Sequence, residues 1–128
     1  MSQGKRVLVA EDEPDIRGLI KYSLEFAGYD VLQATNGAEA VEIATEHLPD
    51  LILLDVRMPT MTGYEACEAL KAQEVTKDIP VVFLSARGQE AEIKQGLSLG
   101  AEEYILKPFA PDELYRRVTA ILERLGKM

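Results

Sequence analysis

With 128 residues, 47% of them hydrophobic, and no apolar run of membrane-spanning length, the chain is sized for one domain that needs no disulfide or metal staple. A formal net charge of −8, from 22 acidic against 14 basic residues, argues against a direct grip on nucleic acid or an anionic membrane, which requires clustered Lys and Arg. One Cys and one His are too few for a disulfide or a zinc site, and the opening MSQGKR carries no signal-peptide core, so Cys67 is expected as helix packing in a reducing cytoplasm.

Val7 to Ala10 is a short unbroken apolar run, the pattern of a strand buried on both faces, and Glu11, Asp12 and Glu13 follow it. Pro14 to Ala27 predicts the first helix, with Ile16, Leu19, Ile20, Leu24 and Ala27 on its inner face and Gly28 as its stop. Asp30 to Ala34 is the second strand, and Asn36 with Glu39 fits a capping box opening the second helix. Leu51 to Leu54 predicts a third strand, closed by Asp55, and Thr62 with Glu65 fits a second capping box. Val81 to Leu84 predicts the fourth strand, followed by Ser85. The fourth helix spans Glu90 to Leu99 before Gly100, with Gly96 expected to weaken it. Glu103 to Leu106 is the fifth strand, followed by Lys107 and Pro108, and Leu114, Val118, Ile121, Leu122 and Leu125 mark the inner stripe of a fifth helix.

Five strand-helix alternations with short connections imply an α/β fold: a single doubly wound, five-stranded parallel sheet with five helices, forming one domain over residues 1–128. In such sheets sites form at the carboxyl ends of the strands, and four strands here deliver polar residues to that edge. Taken singly, an Asp after a strand is most often a turn former, Ser85 a cap, and Lys107 an exposed loop lysine. Together they point to shared chemistry. Glu11, Asp12 and Asp55 would raise one another's pKa unless a cation intervenes, and an oxygen-only donor set suits Mg²⁺, with Asp12 and Asp55 as ligands. Lys107 can balance Asp55 and hold a phosphoryl oxygen, and the Ser85 hydroxyl can donate to one. The Lys107–Pro108 bond is compatible with either isomer. Glu13 belongs to the start of the first helix, where negative charge is favourable, rather than to the site.

The set Glu11-Asp12, Asp55, Ser85-Ala86 and Lys107-Pro108-Phe109 resembles the receiver domain of two-component response regulators over nearly the whole chain. VLVAEDE is similar to that family's acidic first-strand motif, LILLDVRMPTMTG to its phosphorylation segment, IPVVFLSAR to its hydroxyl strand, and GAEEYILKPFAPDEL to its lysine and final-helix segment. The resemblance implies a flavodoxin-like sheet of order 2-1-3-4-5. It also implies that Asp55 accepts a phosphoryl group from a partner histidine kinase or phosphotransfer protein, giving an acyl phosphate. By the same resemblance Mg²⁺ (or Mn²⁺) is held by Asp12, Asp55 and the backbone carbonyl of Arg57, with Glu11 acting through water. Ser85 and Tyr104 are the implied switch residues, altering the face of the fourth helix, fifth strand and fifth helix toward a downstream output protein or a linked output domain. Such a domain is a phosphoacceptor that catalyses its own phosphorylation and dephosphorylation, not an enzyme acting on a separate substrate.

Arg57 and Arg87 are basic at two positions flanking the site. The segment KPFAPDELYRRVTAILERL resembles receivers that precede a winged-helix DNA-binding domain, where Glu102, Glu103, Glu113, Arg117 and Arg124 support a phosphorylation-dependent homodimer. Ile93, with Lys94 beside it, stands where that branch usually has a basic partner. Both a stand-alone receiver and one excised from a longer regulator fit the sequence. A haloacid-dehalogenase-type phosphatase needs a second acid where Arg57 stands, and a flavin-binding protein needs a Ser-, Thr- and Gly-rich loop where Glu11-Asp12-Glu13 stand, so both rivals fit poorly. A degenerate receiver acting only as an interaction module is disfavoured because all five expected site residues are present.

Overall fold

The computed structural model describes residues 4–86 and 90–127. The elements run β1 (Arg6–Ala10), α1 (Pro14–Phe26), β2 (Asp30–Ala34), α2 (Gly37–His47), β3 (Leu51–Asp55), α3 (Gly63–Lys71), β4 (Val81–Ser85), α4 (Glu90–Ser98), β5 (Glu103–Leu106) and α5 (Pro111–Arg124). All strand pairs are parallel, in the order β2-β1-β3-β4-β5. This is the doubly wound sheet expected from the alternating pattern, and Asp55 and Ser85 are the last residues of their strands rather than the first residues beyond them.

The unbroken apolar runs are explained by two cores. Val7, Val9, Leu51, Leu53, Val82, Leu84 and Ile105 face α1 and α5, meeting Ile20 and Leu24 on one helix and Leu114, Val118, Ile121 and Leu122 on the other. The alternate residues Leu8, Ala10, Ile52, Leu54, Val81 and Phe83 face the opposite side, against Ala40, Ala44, Ala66, Cys67 and Leu70. Because successive strand side chains point to opposite faces, a strand covered on both sides must be apolar at every position. Burial pushes the Cys67 thiol up to about 11, and its Sγ lies 3.7 Å from the Leu99 carbonyl, as suits a packing residue.

Local signals mostly hold, with two corrections. Leu19 is 43% exposed at the edge of α1, so the inner stripe is carried by Ile16, Ile20 and Leu24. The Thr62 box is complete: Glu65 N–H donates to Thr62 Oγ1 at 3.2 Å, and Thr62 N–H donates to Glu65 Oε1 at 2.9 Å. At α2 only half the box forms on Asn36, which accepts from Glu39 N–H at 2.8 Å; the Glu39 carboxylate reaches one residue further back, to Thr35 N–H at 2.7 Å. Gly96, read as a weakness in α4, also sits where the packing is tight. A Cβ there would stand 3.0 Å from the Phe83 ring and 3.2 Å from the Tyr104 ring.

The α2 start is pinned against the loop before α3. Gly37 N–H donates to the Met61 carbonyl at 3.1 Å, and a Cβ on Gly37 would sit 2.3 Å from that same backbone oxygen. Gly18, on the exposed face of α1, has nothing within 4 Å of such a Cβ. The two glycines therefore respond oppositely to alanine. Gly37→Ala is expected to destabilise the fold by about 1–3 kcal/mol through overpacking against backbone, and Gly18→Ala to stabilise it by about 0.5–1 kcal/mol through helix propensity. Urea-unfolding midpoints of the two variants measure both signs.

Candidate functional site

β1, β3, β4 and β5 end side by side, and each contributes to one cleft. Glu11 leaves β1 with its N–H on the Ala34 carbonyl at 3.1 Å, and its own carbonyl accepts from Arg17 Nη1 at 2.7 Å. Its carboxylate, 1% exposed, accepts from Glu13 N–H through Oε2 at 3.3 Å. Glu13 itself is the N-cap residue of α1, without a side-chain cap bond. Asp55 closes β3 in register with Leu84, and its side chain is 9% exposed. Gly63 N–H donates to the Val56 carbonyl at 3.0 Å, and a Cβ on Gly63 would be 2.3 Å from the Asp55 carbonyl oxygen. Only glycine lets α3 begin this close to the Asp55 backbone.

Lys107 enters from beyond β5. Its N–H donates to the Ser85 carbonyl at 2.7 Å, and its bond to Pro108 is cis. The ammonium donates to Glu11 Oε1 at 2.6 Å and to Asp55 Oδ1 at 3.1 Å. Glu11, exposed Asp12 and Asp55 each offer a carboxylate oxygen, and these atoms lie within 4.8 Å of one another. Asp55, Arg57, Ser85, Ala86 and Lys107 line a cleft of about 210 Å³. Ser85 is buried at its wall and Arg57 is exposed at its rim. Arg87, the second flanking arginine, lies outside the described residues. A larger hollow of about 490 Å³ runs along α5 between Glu103, Asp112, Arg116 and Arg117, but none of the strand-end residues of the site lines it.

The electrostatics follow from crowding. Burial, and then the neighbouring Glu11 charge, push the Asp55 carboxyl up to about 6, although Lys107 works in the other direction. Burial alone would lower Lys107. Its hydrogen bond to Glu11 and the Asp55 charge outweigh that cost and hold the ammonium above the ordinary lysine value. Lys107 is therefore charged throughout the physiological range. Three carboxylates against one ammonium leave two negative charges uncompensated, and the donors are all oxygen, which fits a hard divalent cation such as Mg²⁺.

The family model for the response regulator receiver domain matches residues 7–119. The chain belongs to the response regulator receiver family. It is 46% identical over 123 residues to the phosphate regulon transcriptional regulatory protein PhoB of Pseudomonas aeruginosa, covering 96% of this chain and 54% of that protein. It is 44% identical over 120 residues to the alkaline phosphatase synthesis transcriptional regulatory protein PhoP of Bacillus subtilis, covering 94% of this chain and 49% of that protein. The chain thus spans about half the length of the curated relatives it matches. Among solved structures, the chemotaxis protein CheY4 of Vibrio cholerae superposes with a TM-score of 0.88 at 33% identity, over 93% of this chain and 99% of that one. The receiver domain of the sensor histidine kinase PA1611 of Pseudomonas aeruginosa, with a magnesium ion coordinated in its active-site cleft, gives 0.84 at 32%, over 91% and 96%.

The receiver fold brings Glu11, Asp12, Asp55 and Lys107 together, with Ser85 and Arg57 along the cleft. Tyr104 stands apart from the cleft lining, half-buried on β5 in register with Phe83. Two contributors escaped the sequence reading. Arg17 holds the Glu11 backbone from one turn into α1, and Tyr64 reaches from α3 to α4 and β5. No periodicity marks either role, because both are polar tips crossing between elements.

The raised Asp55 value has a definite stability consequence. Above pH 6 Asp55 is ionised in both folded and unfolded chains, and the folded chain carries the full penalty. Below about pH 4 both are protonated and the penalty is gone. In chelator-treated protein, Asp55→Asn is therefore expected to be more stable than wild type by roughly 2 kcal/mol at pH 7.5, with the difference shrinking toward zero as the pH falls from 6 to 4. Paired urea titrations across that range test the sign.

Proposed function

We propose that Asp55 is the phosphoacceptor of this receiver. A carboxylate oxygen attacks the phosphorus of a phosphohistidine on a partner histidine kinase or phosphotransfer protein; the P–N bond breaks, a P–O bond forms, and the imidazole leaves with the electron pair and takes up a proton. The observation that carries this reading is the pairing of buried Asp55 with Lys107 at 3.1 Å in the wall of a cleft, with carboxylate oxygens of Glu11 and Asp12 within 4.8 Å of that of Asp55. Phosphoryl transfer asks a protein for alignment and charge neutralisation rather than covalent chemistry.

Asp12, Asp55 and the Arg57 carbonyl are the groups to hold Mg²⁺ or Mn²⁺, with Glu11 contributing through water. The bound cation supplies the charge neutralisation that the uncompensated carboxylates need. Lys107 holds a phosphoryl oxygen and loses part of its contact with Asp55 as it does so. Ser85, already at the cleft wall, turns its hydroxyl to a second oxygen. Tyr104 reports the change on the face formed by α4, β5 and α5, where an output partner reads it. The setting is cytoplasmic; among the described residues no helix is long and apolar enough to cross a membrane. The likeness to transcriptional regulatory proteins about twice the length of this chain supports an output domain joined to the receiver.

Incubation with phosphoramidate and Mg²⁺ should add one phosphoryl mass to the wild-type chain and none to Asp55→Asn, read by intact mass. Lys107→Ala should be phosphorylated about 100-fold more slowly. A gain that survives in Asp55→Asn would relocate the acceptor, and absence of a wild-type gain would refute it. Independently, Mg²⁺ at about ten times its Kd should stabilise the wild-type fold by about 1.4 kcal/mol, an increment that Asp12→Asn loses in thermal unfolding.

A further inference from the structure

Behind the cleft, on the α4 side of the sheet, lies a polar arrangement that the strand-end chemistry does not use. Tyr64, the second residue of α3, sets its ring edge-on against Phe83, with centroids 5.0 Å apart and planes at 89°. Its hydroxyl continues past Phe83 and donates to the Glu92 carbonyl of α4 at 3.1 Å. The Tyr104 hydroxyl lies 3.5 Å from the same Tyr64 oxygen, and the Tyr104 ring packs tilted on Phe83 at 6.1 Å. Gly96 completes the enclosure, since a Cβ there would crowd Phe83 at 3.0 Å and Tyr104 at 3.2 Å. Three elements therefore converge on one phenolic oxygen: α3 carries it, α4 receives its proton, and β5 brings a second hydroxyl to it.

We propose that Tyr64 is a positioning residue that ties the first turns of α4 to α3 and forms the inward stop of Tyr104, so that α4 and the Tyr104 ring respond as one coupled unit. The inference rests on the reading of Tyr104 as the reporter of Asp55 phosphorylation. A phenol has one proton to give and lone pairs to accept with. With its proton committed to Glu92, Tyr64 offers Tyr104 only an acceptor, so Tyr104 must be the donor of the second contact. The two legs differ in strength. At 3.1 Å the Glu92 leg is an ordinary hydrogen bond, whereas 3.5 Å lies at the outer limit of one. Tyr104 can thus close on Tyr64 or leave it at small cost, while α4 stays tethered. When Tyr104 does close, its donation polarises the Tyr64 hydroxyl and strengthens the bond to Glu92, because linked hydrogen bonds reinforce one another. That gives the ring position on β5 a direct effect on the stability of the α4 amino-terminal turns. Burial, followed by the Tyr104 hydroxyl, also raises the Tyr64 phenol above its ordinary value, keeping it a neutral donor at physiological pH.

The test uses the full chain as wild type, Tyr64→Phe, Tyr104→Phe and the double variant, with amide hydrogen exchange across α4 as readout. Exchange is measured without ligand and with beryllofluoride plus Mg²⁺ as the phosphoryl stand-in. Loss of one neutral hydrogen bond predicts about fivefold faster α4 exchange in Tyr64→Phe, and a smaller acceleration in Tyr104→Phe. The double variant should exchange like Tyr64→Phe alone, and the beryllofluoride-induced change in α4 should fall at least about threefold in Tyr64→Phe, neither of which a merely structural tyrosine would produce. Wild-type exchange rates in Tyr64→Phe, or strictly additive effects in the double variant, overturn the proposal. Should wild type itself show no beryllofluoride response, the phosphoacceptor reading fails, while the ligand-free rates and their additivity still decide the role of Tyr64.

Discussion

Everything at the functional edge of this molecule follows from holding two carboxylates, Glu11 and Asp55, out of water beside a single ammonium. Lys107 bonds to both, at 2.6 and 3.1 Å, and cannot neutralise both. Burying a charge is costly unless it is paired, and breaking such a pair leaves an uncompensated charge inside the protein. The shortfall is expressed on Asp55, whose proton is held to about pH 6, rather than on Lys107, which is locked in its charged form. A site built this way favours whatever brings positive charge to the carboxylates.

The fold supplies the means to resist that repulsion. Glu11 and Asp55 cannot swing apart because the backbone on each side of them is committed: Glu11 N–H to Ala34, Val56 N–H to Leu84, and Gly63 N–H to Val56. These bonds sit at the ends of strands whose side chains are buried on both faces, so any displacement of a carboxylate drags an apolar strand with it. The absence of a Cβ at Gly63 matters for the same reason. It lets the α3 amino terminus close over the Asp55 carbonyl and fix the chain where the side chain emerges. The apolar interior is the restraint, and the charged edge is the load it carries.

The layout of elements was legible in the sequence because the cause of each is local. Period and capping residues determine strands and helices over a few positions, and the Thr62-Glu65 box formed as read. Where a single residue could bond to either of two neighbours, the sequence could not choose, and Glu39 took Thr35 over Asn36. Leu19 failed as a core residue because hydrophobicity says which side chains prefer burial, not which ones the available neighbours can cover. The packing role of Gly96 was hidden for a deeper reason. Helix propensity counts what a glycine lacks along its own helix, whereas its value here is the space left for Phe83 and Tyr104 from other elements. The strand-end acids and Lys107 were legible because topology alone brings strand ends together. Tyr64 was not, since its partners are set by how far a ring projects past Phe83.

The surface of β5 and α5 illustrates how weakly ion pairs can hold an arrangement of charges. Arg117 pairs with Glu103, and Arg124 reaches Glu102 and Glu103 at 3.7 and 3.8 Å, all within one chain. These side chains are roughly a third to a half exposed, and such pairs contribute on the order of 0–1 kcal/mol each. Exchanging an internal partner for one on another surface of the same charge pattern therefore costs little. Shape, more than these ion pairs, holds the arrangement, and between α4 and β5 that shape is the packing of Gly96 against Phe83 and Tyr104.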